Sequence, residues 1–143
     1  MIVLDTTVLV YALGSEHPLR TPCRRLIDAV AEGSLRATTT VEVVQELAHV
    51  RARRRDRADA AQLAQQFVDL LAPLLPVDET ALRSGLALYA GSTRLGAFDA
   101  VLAAATLAAG AEALVSADAA FAEVPGLTHV PPTEDGVGQL LAG

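Results

Sequence analysis

The chain has no lysine, one cysteine and three histidines in 143 residues, and each scarcity removes a class of chemistry. A single thiol, Cys23, permits neither an intrachain disulfide nor a thiolate zinc site. His17, His49 and His129 are scattered, without the close pairing of a zinc-binding helix. All 11 basic residues are arginines, which cannot act as general bases but whose planar fork suits phosphate and carboxylate. There is no Gly-x-Ser-x-Gly elbow and no phosphate-cradling glycine loop. The longest apolar stretch, Ala100 to Ala109, is too short to span a bilayer. No basic residue precedes the N-terminal apolar run, and Asp5 interrupts it, so a signal peptide is not expected and a cytoplasmic location is the default.

What is present points to a globular protein. A hydrophobic content of 52% with 20% charged residues supports a packed core, and 143 residues suit a single domain spanning 1–143. The net charge of -6 argues against non-specific nucleic-acid binding. The distribution of charge says something different. Arg51, Arg53, Arg54, Arg55 and Arg57 form a dense basic run just after Glu46. Such a run suits either a solvated helix end, where cations oppose the helix dipole, or a substrate-binding surface.

Short apolar strands alternate with longer helical segments. Strands are expected at Ile2 to Leu4, Leu35 to Thr38, Ala113 to Ser116 and Thr128 to Val130, with a weaker one at Leu74 to Val77 that Pro76 demotes to an edge. Helices are expected over Thr6 to Leu13, Pro18 to Ala31, Thr39 or Thr40 through Arg53, Ala58 to Leu71, Glu79 to Tyr89 behind an Asp78 cap, and Phe98 to Ala109 before Gly110. A last short helix is expected from Asp135 to Leu141. This alternation implies an α/β fold with a central parallel sheet of four to five short strands, flanked by helices on both faces. Sites in such sheets lie at the carboxyl ends of the strands.

Four acids fall where strand or helix ends could aim them at one point: Asp5, Glu46, Asp99 and Asp118. Asp5 and Asp118 follow strands, while Glu46 and Asp99 are expected in the first turns of helices. Carboxylates brought together repel, and desolvation raises their pKa unless a cation neutralises them. Oxygen-only ligands favour Mg²⁺ or Mn²⁺. Hydrolysis of a phosphodiester needs an activated water and neutralisation of phosphate charge, which one or two such ions supply. Asp5 has a structural alternative, capping the next helix through the Thr7 or Val8 amide, and Asp118 or Ser116 could cap a short helix. Asp99 lies among Phe98, Val101 and Leu102, which read as buried, so an acid there needs a partner. Glu46 lies beside Leu47 and Val50, which read as core-facing. Thr7, two residues after Asp5, can orient it, whereas Thr6 reads as a helix cap.

These residues resemble the motifs of PIN domains. Ile2-Val3-Leu4-Asp5-Thr6-Thr7 is similar to the first motif, and Thr38 to Val50, with Glu46-Leu47, to the second. Phe98-Asp99-Ala100-Val101-Leu102 resembles the third, and Ser116-Ala117-Asp118 leading to Phe121 the fourth. The Glu46 to Arg55 segment and the length look most like the VapC toxins of bacterial toxin–antitoxin pairs. That resemblance implies a Mg²⁺-dependent endoribonuclease, usually a homodimer, held inactive by a VapB-like antitoxin. It implies Asp5 and Asp99 as metal ligands, Glu46 and Asp118 completing the cage or orienting water, and Thr7 and Ser116 in support. Arg51, Arg53, Arg54 and Arg55 become candidates for contact with RNA or antitoxin. Two positions depart from the family pattern: Ala119 and Ala120 stand where another acid is frequent, and Thr7 where Asn or Ser is common.

Rival enzymes fit less well, since phospho-receiver domains and haloacid-dehalogenase-like phosphatases both need a lysine. A rival of another class is a catalytically silent PIN-like module that binds RNA or a protein, suggested by the missing extra acid.

Overall fold

A computed structural model describes residues 1–143. The chain begins with β1 (Ile2–Leu4), α1 (Thr6–Leu13), α2 (Arg20–Ala31) and β2 (Ala37–Thr38). Four helices follow: α3 (Val41–Ala52), α4 (Arg57–Leu71), α5 (Glu79–Ala90) and α6 (Ala97–Ala108). It closes with β3 (Ala113–Val115), a 3₁₀ turn (Ala119–Glu123), β4 (His129–Val130) and α7 (Glu134–Ala142).

The four strands pair in parallel in the order β2-β1-β3-β4. Ile2, Val3 and Leu4 lie opposite Ala113, Leu114 and Val115, and all six are buried. Continuous burial of a strand requires cover on both faces, which is why these runs are apolar throughout and do not alternate. They seed a core that also takes in Val8 and Leu9 of α1, Leu47 of α3, Leu102 of α6 and Phe121. From β1 the chain passes first to β2 on one side and later to β3 on the other. The crevice at the carboxyl ends of β1 and β3 is therefore a topological switch point, the usual place for a site in an open sheet.

Local chemistry sets the helix ends. Thr40, Asp56, Asp78 and Thr133 each accept the amide of the third residue of the following helix. Gly110, with φ 65°, takes the left-handed conformation just past the α6 C-cap. Two expectations are corrected. Leu74 to Val77 forms no strand and contributes only an isolated bridge from Leu75 to Thr40, because Pro76 lacks the N–H needed to extend a ladder. The second helix starts at Arg20 and not at Pro18, since the Leu19 amide donates to His17 Nδ1 and the Arg20 amide to the His17 carbonyl in a preceding turn. The short helix that Asp118 could cap is present as the 3₁₀ turn, with Asp118 and not Ser116 as its cap.

Gly85 decides how closely α5 and α6 pack. A Cβ there would lie 2.6 Å from Val101 Cα and 2.7 Å from its branched Cγ2, neither of which can easily give way. Gly85→Ala is expected to destabilise the protein by about 1–3 kcal/mol despite the better helix propensity of alanine. A lowered denaturant midpoint with an unchanged slope would show it.

Candidate active site

Asp5 leaves the end of β1 and caps α1. Its Oδ1 accepts the Thr6 amide at 2.8 Å, so the capping alternative holds, through Thr6 and not through the Thr7 or Val8 amide. Its Oδ2 accepts the Ser116 hydroxyl at 2.6 Å and the Thr7 hydroxyl at 3.1 Å. Thr7 is itself held, accepting the Ala117 amide at 3.0 Å. Asp5 is only 4% exposed, and all of these donors are neutral.

Ser116 follows β3 and links two of the acids. While its hydroxyl donates to Asp5, it accepts the Asp118 amide at 3.0 Å. Asp118, exposed, in turn caps the 3₁₀ turn through the Ala120 amide at 2.9 Å. Glu46 arrives from α3, where it occupies the second turn and not the first, as the sequence had suggested. Its Oε2 accepts the Thr6 hydroxyl at 2.8 Å, a contact that reading Thr6 as a cap misses.

Asp99 is the third residue of α6 and half-buried. Its carboxyl is pushed up to about 7, first by burial and then by the charges of Asp5, Asp118 and Glu46, with a hydrogen-bond contact to Asp118 adding to them. One group thus feels all three of the others, so the structure brings the four acids into one electrostatic neighbourhood. Its neighbours are less buried than the sequence suggested. Leu102 is buried, but Phe98 is 41% exposed, because it lies on the helix face turned toward a groove with α5.

None of these four acids has a cationic partner. The ion pairs of the chain lie elsewhere: Arg25–Glu134, Arg51–Asp59, Arg83–Glu79, Arg94–Glu123 and the N-terminus with Glu112. Clustered carboxylates with only neutral donors are a costly arrangement unless a cation joins them. The side chains do not already form a set of three ligands around one point. Mg²⁺ does not require one, since it is commonly held by one or two carboxylates and keeps several waters. The oxygen-only donor set and its uncompensated charge fit such an ion.

The arginine run lies at the far end of α3. Arg53 is seven residues beyond Glu46, roughly 10 Å along the helix. Arg51 is engaged with Asp59 at 2.9 Å, and Arg53 Nη2 lies 3.1 Å from His49 Nε2. Arg53, Arg54, Arg55 and Arg57 are exposed. Cys23 is buried and its thiol is pushed up to about 12, which makes it inert as a nucleophile. His129, set aside in the sequence as one of three scattered histidines, has its Nε2 2.8 Å from the Ser116 carbonyl. No helix is long and apolar enough to cross a membrane.

The chain matches the PIN domain family over residues 2–127. It is 54% identical to Ribonuclease VapC7 of Mycobacterium tuberculosis over 142 residues, 99% of this chain and 98% of that protein. It is 35% identical to Ribonuclease VapC23 of the same organism over 101 residues, 69% of this chain and 78% of that protein. In fold it is similar to VapBC2 from Rickettsia felis bound to a DNA fragment from their promoter, with a TM-score of 0.69 at 18% identity over 92% of this chain and 98% of that one. FitAcB from Neisseria gonorrhoeae gives a TM-score of 0.70 at 19% identity with the same coverage.

Proposed function

The chain belongs to the PIN domain family and within it to the VapC ribonucleases, and from that premise we propose that it is the toxin of a type II toxin–antitoxin pair, an endoribonuclease that hydrolyses RNA phosphodiester bonds with an activated water. The observation that carries the reading is the set of four acids without a cation, in which Asp99 is pushed up to about 7 by burial and then by the charges of the other three. Asp5 and Asp99 would hold Mg²⁺ or Mn²⁺, with Glu46 and Asp118 completing the cage or orienting water. The ion, when bound, activates a water and neutralises charge developing on the phosphate.

The protein's own groups do the positioning. Thr7 and Ser116 fix one oxygen of Asp5, the Thr6 amide fixes the other, and the Thr6 hydroxyl holds Glu46. Asp99 must be free of its proton to take up a ligand role, so activity rises through the neutral range. The exposed guanidinium groups of Arg53, Arg54 and Arg55 are the contacts for RNA phosphate or for the antitoxin, while Arg51 is the least available because Asp59 holds it. The likeness to VapBC2 supports a VapB-like antitoxin as partner. A homodimer belongs to the same reading. The surface that supports it is a groove of about 490 Å³ where Leu82 and Leu86 of α5 and Phe98 of α6 stand exposed together.

Purified protein incubated with total RNA tests the reading. Cleavage is expected in Mg²⁺ or Mn²⁺, to vanish with EDTA, and to return when the ion is restored in excess. Undiminished cleavage in EDTA would overturn the assignment. The silent-module alternative is separated by Mn²⁺ titration: binding lost in both Asp5→Asn and Asp99→Asn favours the enzyme.

A further inference from the structure

We propose that His129 is a positioning residue of the active site, acting through the main chain of Ser116. The argument starts from the parallel ladder between β3 and β4. The Leu114 amide donates to the Thr128 carbonyl at 2.8 Å, and the Ser116 amide to the Val130 carbonyl at 3.2 Å. In a parallel pair the bonds alternate in direction along each strand, so the next rung would bring the amide of residue 132 to the Ser116 carbonyl. Residue 132 is proline and has no amide hydrogen. The His129 side chain fills the missing rung, its Nε2 donating to the Ser116 carbonyl at 2.8 Å. An imidazole carrying its hydrogen on Nε2 makes this bond whether neutral or protonated. The Phe121 ring, buried and 6.2 Å away centre to centre, packs against the imidazole and fixes its orientation.

Ser116 is therefore held from β4 at both of its backbone polar groups. This matters because its hydroxyl donates to Asp5 and accepts from the Asp118 amide. Loss of the rung would leave a carbonyl without its donor at the end of β3. The main chain could then rotate toward water, carrying the Ser116 hydroxyl off Asp5 and moving Asp118 with it. His129 touches none of the four acids; its effect reaches the site only through Ser116.

The proposal rests on the nuclease reading for two of its three readouts, cleavage and Mn²⁺ affinity. His129→Leu keeps an apolar body against Phe121 but has no donor, whereas His129→Gln places an amide N–H near the position of Nε2. With Leu, kcat for RNA cleavage is expected to fall roughly tenfold or more, within the range for lost supporting partners of ligands. KM should stay within about twofold of wild type, and Mn²⁺ affinity should drop in parallel with kcat. Hydrogen exchange at the Asp118 amide should quicken. Gln should return all three to within about threefold of wild type. Should Leu fail to fold, His129→Asn, polar but too short to reach the carbonyl, takes its place. Wild-type behaviour in the Leu or Asn variant, or a Gln variant as impaired as they are, would overturn the proposal. A wild-type protein with neither cleavage nor Mn²⁺ binding would sink the nuclease reading instead, and exchange at Asp118 would then decide the role of His129 alone.

Discussion

Asp5→Asn is expected to lower RNA cleavage by more than about a hundredfold while leaving the fold and antitoxin binding intact. Changing only the partners that orient a ligand costs about 10–100-fold, and this substitution alters the ligand itself. The fold should survive because the exchange is nearly isosteric and the surrounding groups can adapt. The Asn carbonyl can still accept the Thr6 amide, and the Thr7 and Ser116 hydroxyls, which now donate to Oδ2, can rotate to accept the new amide. The variant also removes one of the charges that push Asp99 up. Its thermal midpoint in metal-free buffer should therefore match or exceed that of the wild type. Full nuclease activity in a preparation free of contaminating ribonuclease would refute the role given to Asp5.

The second large effect concerns pH. Asp99 titrates near 7 in the folded protein, well above its ordinary value of 3.8. Between those values the native state holds a proton that the unfolded chain has lost, so stability of the metal-free protein falls as pH rises through that window. It is fully present below the ordinary carboxylate range and gone above about pH 7. Water screens a half-exposed site of this kind, which leaves the loss at about 1–2 kcal/mol. Thermal melts at pH 5 and pH 8 in EDTA should show the lower midpoint at pH 8. Asp99→Asn should flatten that difference, and Mg²⁺ should restore the midpoint at pH 8 in the wild type only. The same proton competes with the ion, so Mn²⁺ affinity should fall by up to about tenfold per pH unit below neutrality. A pH-independent midpoint in the metal-free wild type would contradict the clustering of charge around Asp99.

An acidic protein that acts on a polyanion needs its charge arranged with care. Here acids without cationic partners cluster around the carboxyl ends of β1 and β3, joined by Glu46 from the middle of α3, while exposed arginines follow the C-terminal end of α3. Net charge alone, which argued against nucleic acid, averages over these two regions. The position of the cations within the chain carries more information than their number.

The elements were legible where their signals are local. Asp78 as a cap, Gly110 as a stop and the apolar runs of β1 and β3 depend on residues within one turn or one strand of each other. Where a neighbour distant in sequence intervenes, the reading slipped. Phe98 looked buried by composition, but α5 leaves it 41% exposed at the groove between the two helices. Thr6 looked like a cap, yet its hydroxyl reaches Glu46 forty residues away. His129 carried no sign at all, because its importance lies in a ladder rung that Pro132 cannot supply.

The sequence by itself determined the chemistry on offer: oxygen ligands, a single cysteine, no lysine, and an alternation of strands and helices that places acids after strand ends. Only the tertiary structure decided how those acids are held. The bond from Ser116 to Asp5 spans 111 positions, and the charges that raise Asp99 come from three other elements. Caps and periodicity act over a few residues and leave a mark in the order of amino acids. Electrostatic repulsion and side-chain hydrogen bonds act through space, over a few ångströms, between groups that the chain brings together only once its core has formed.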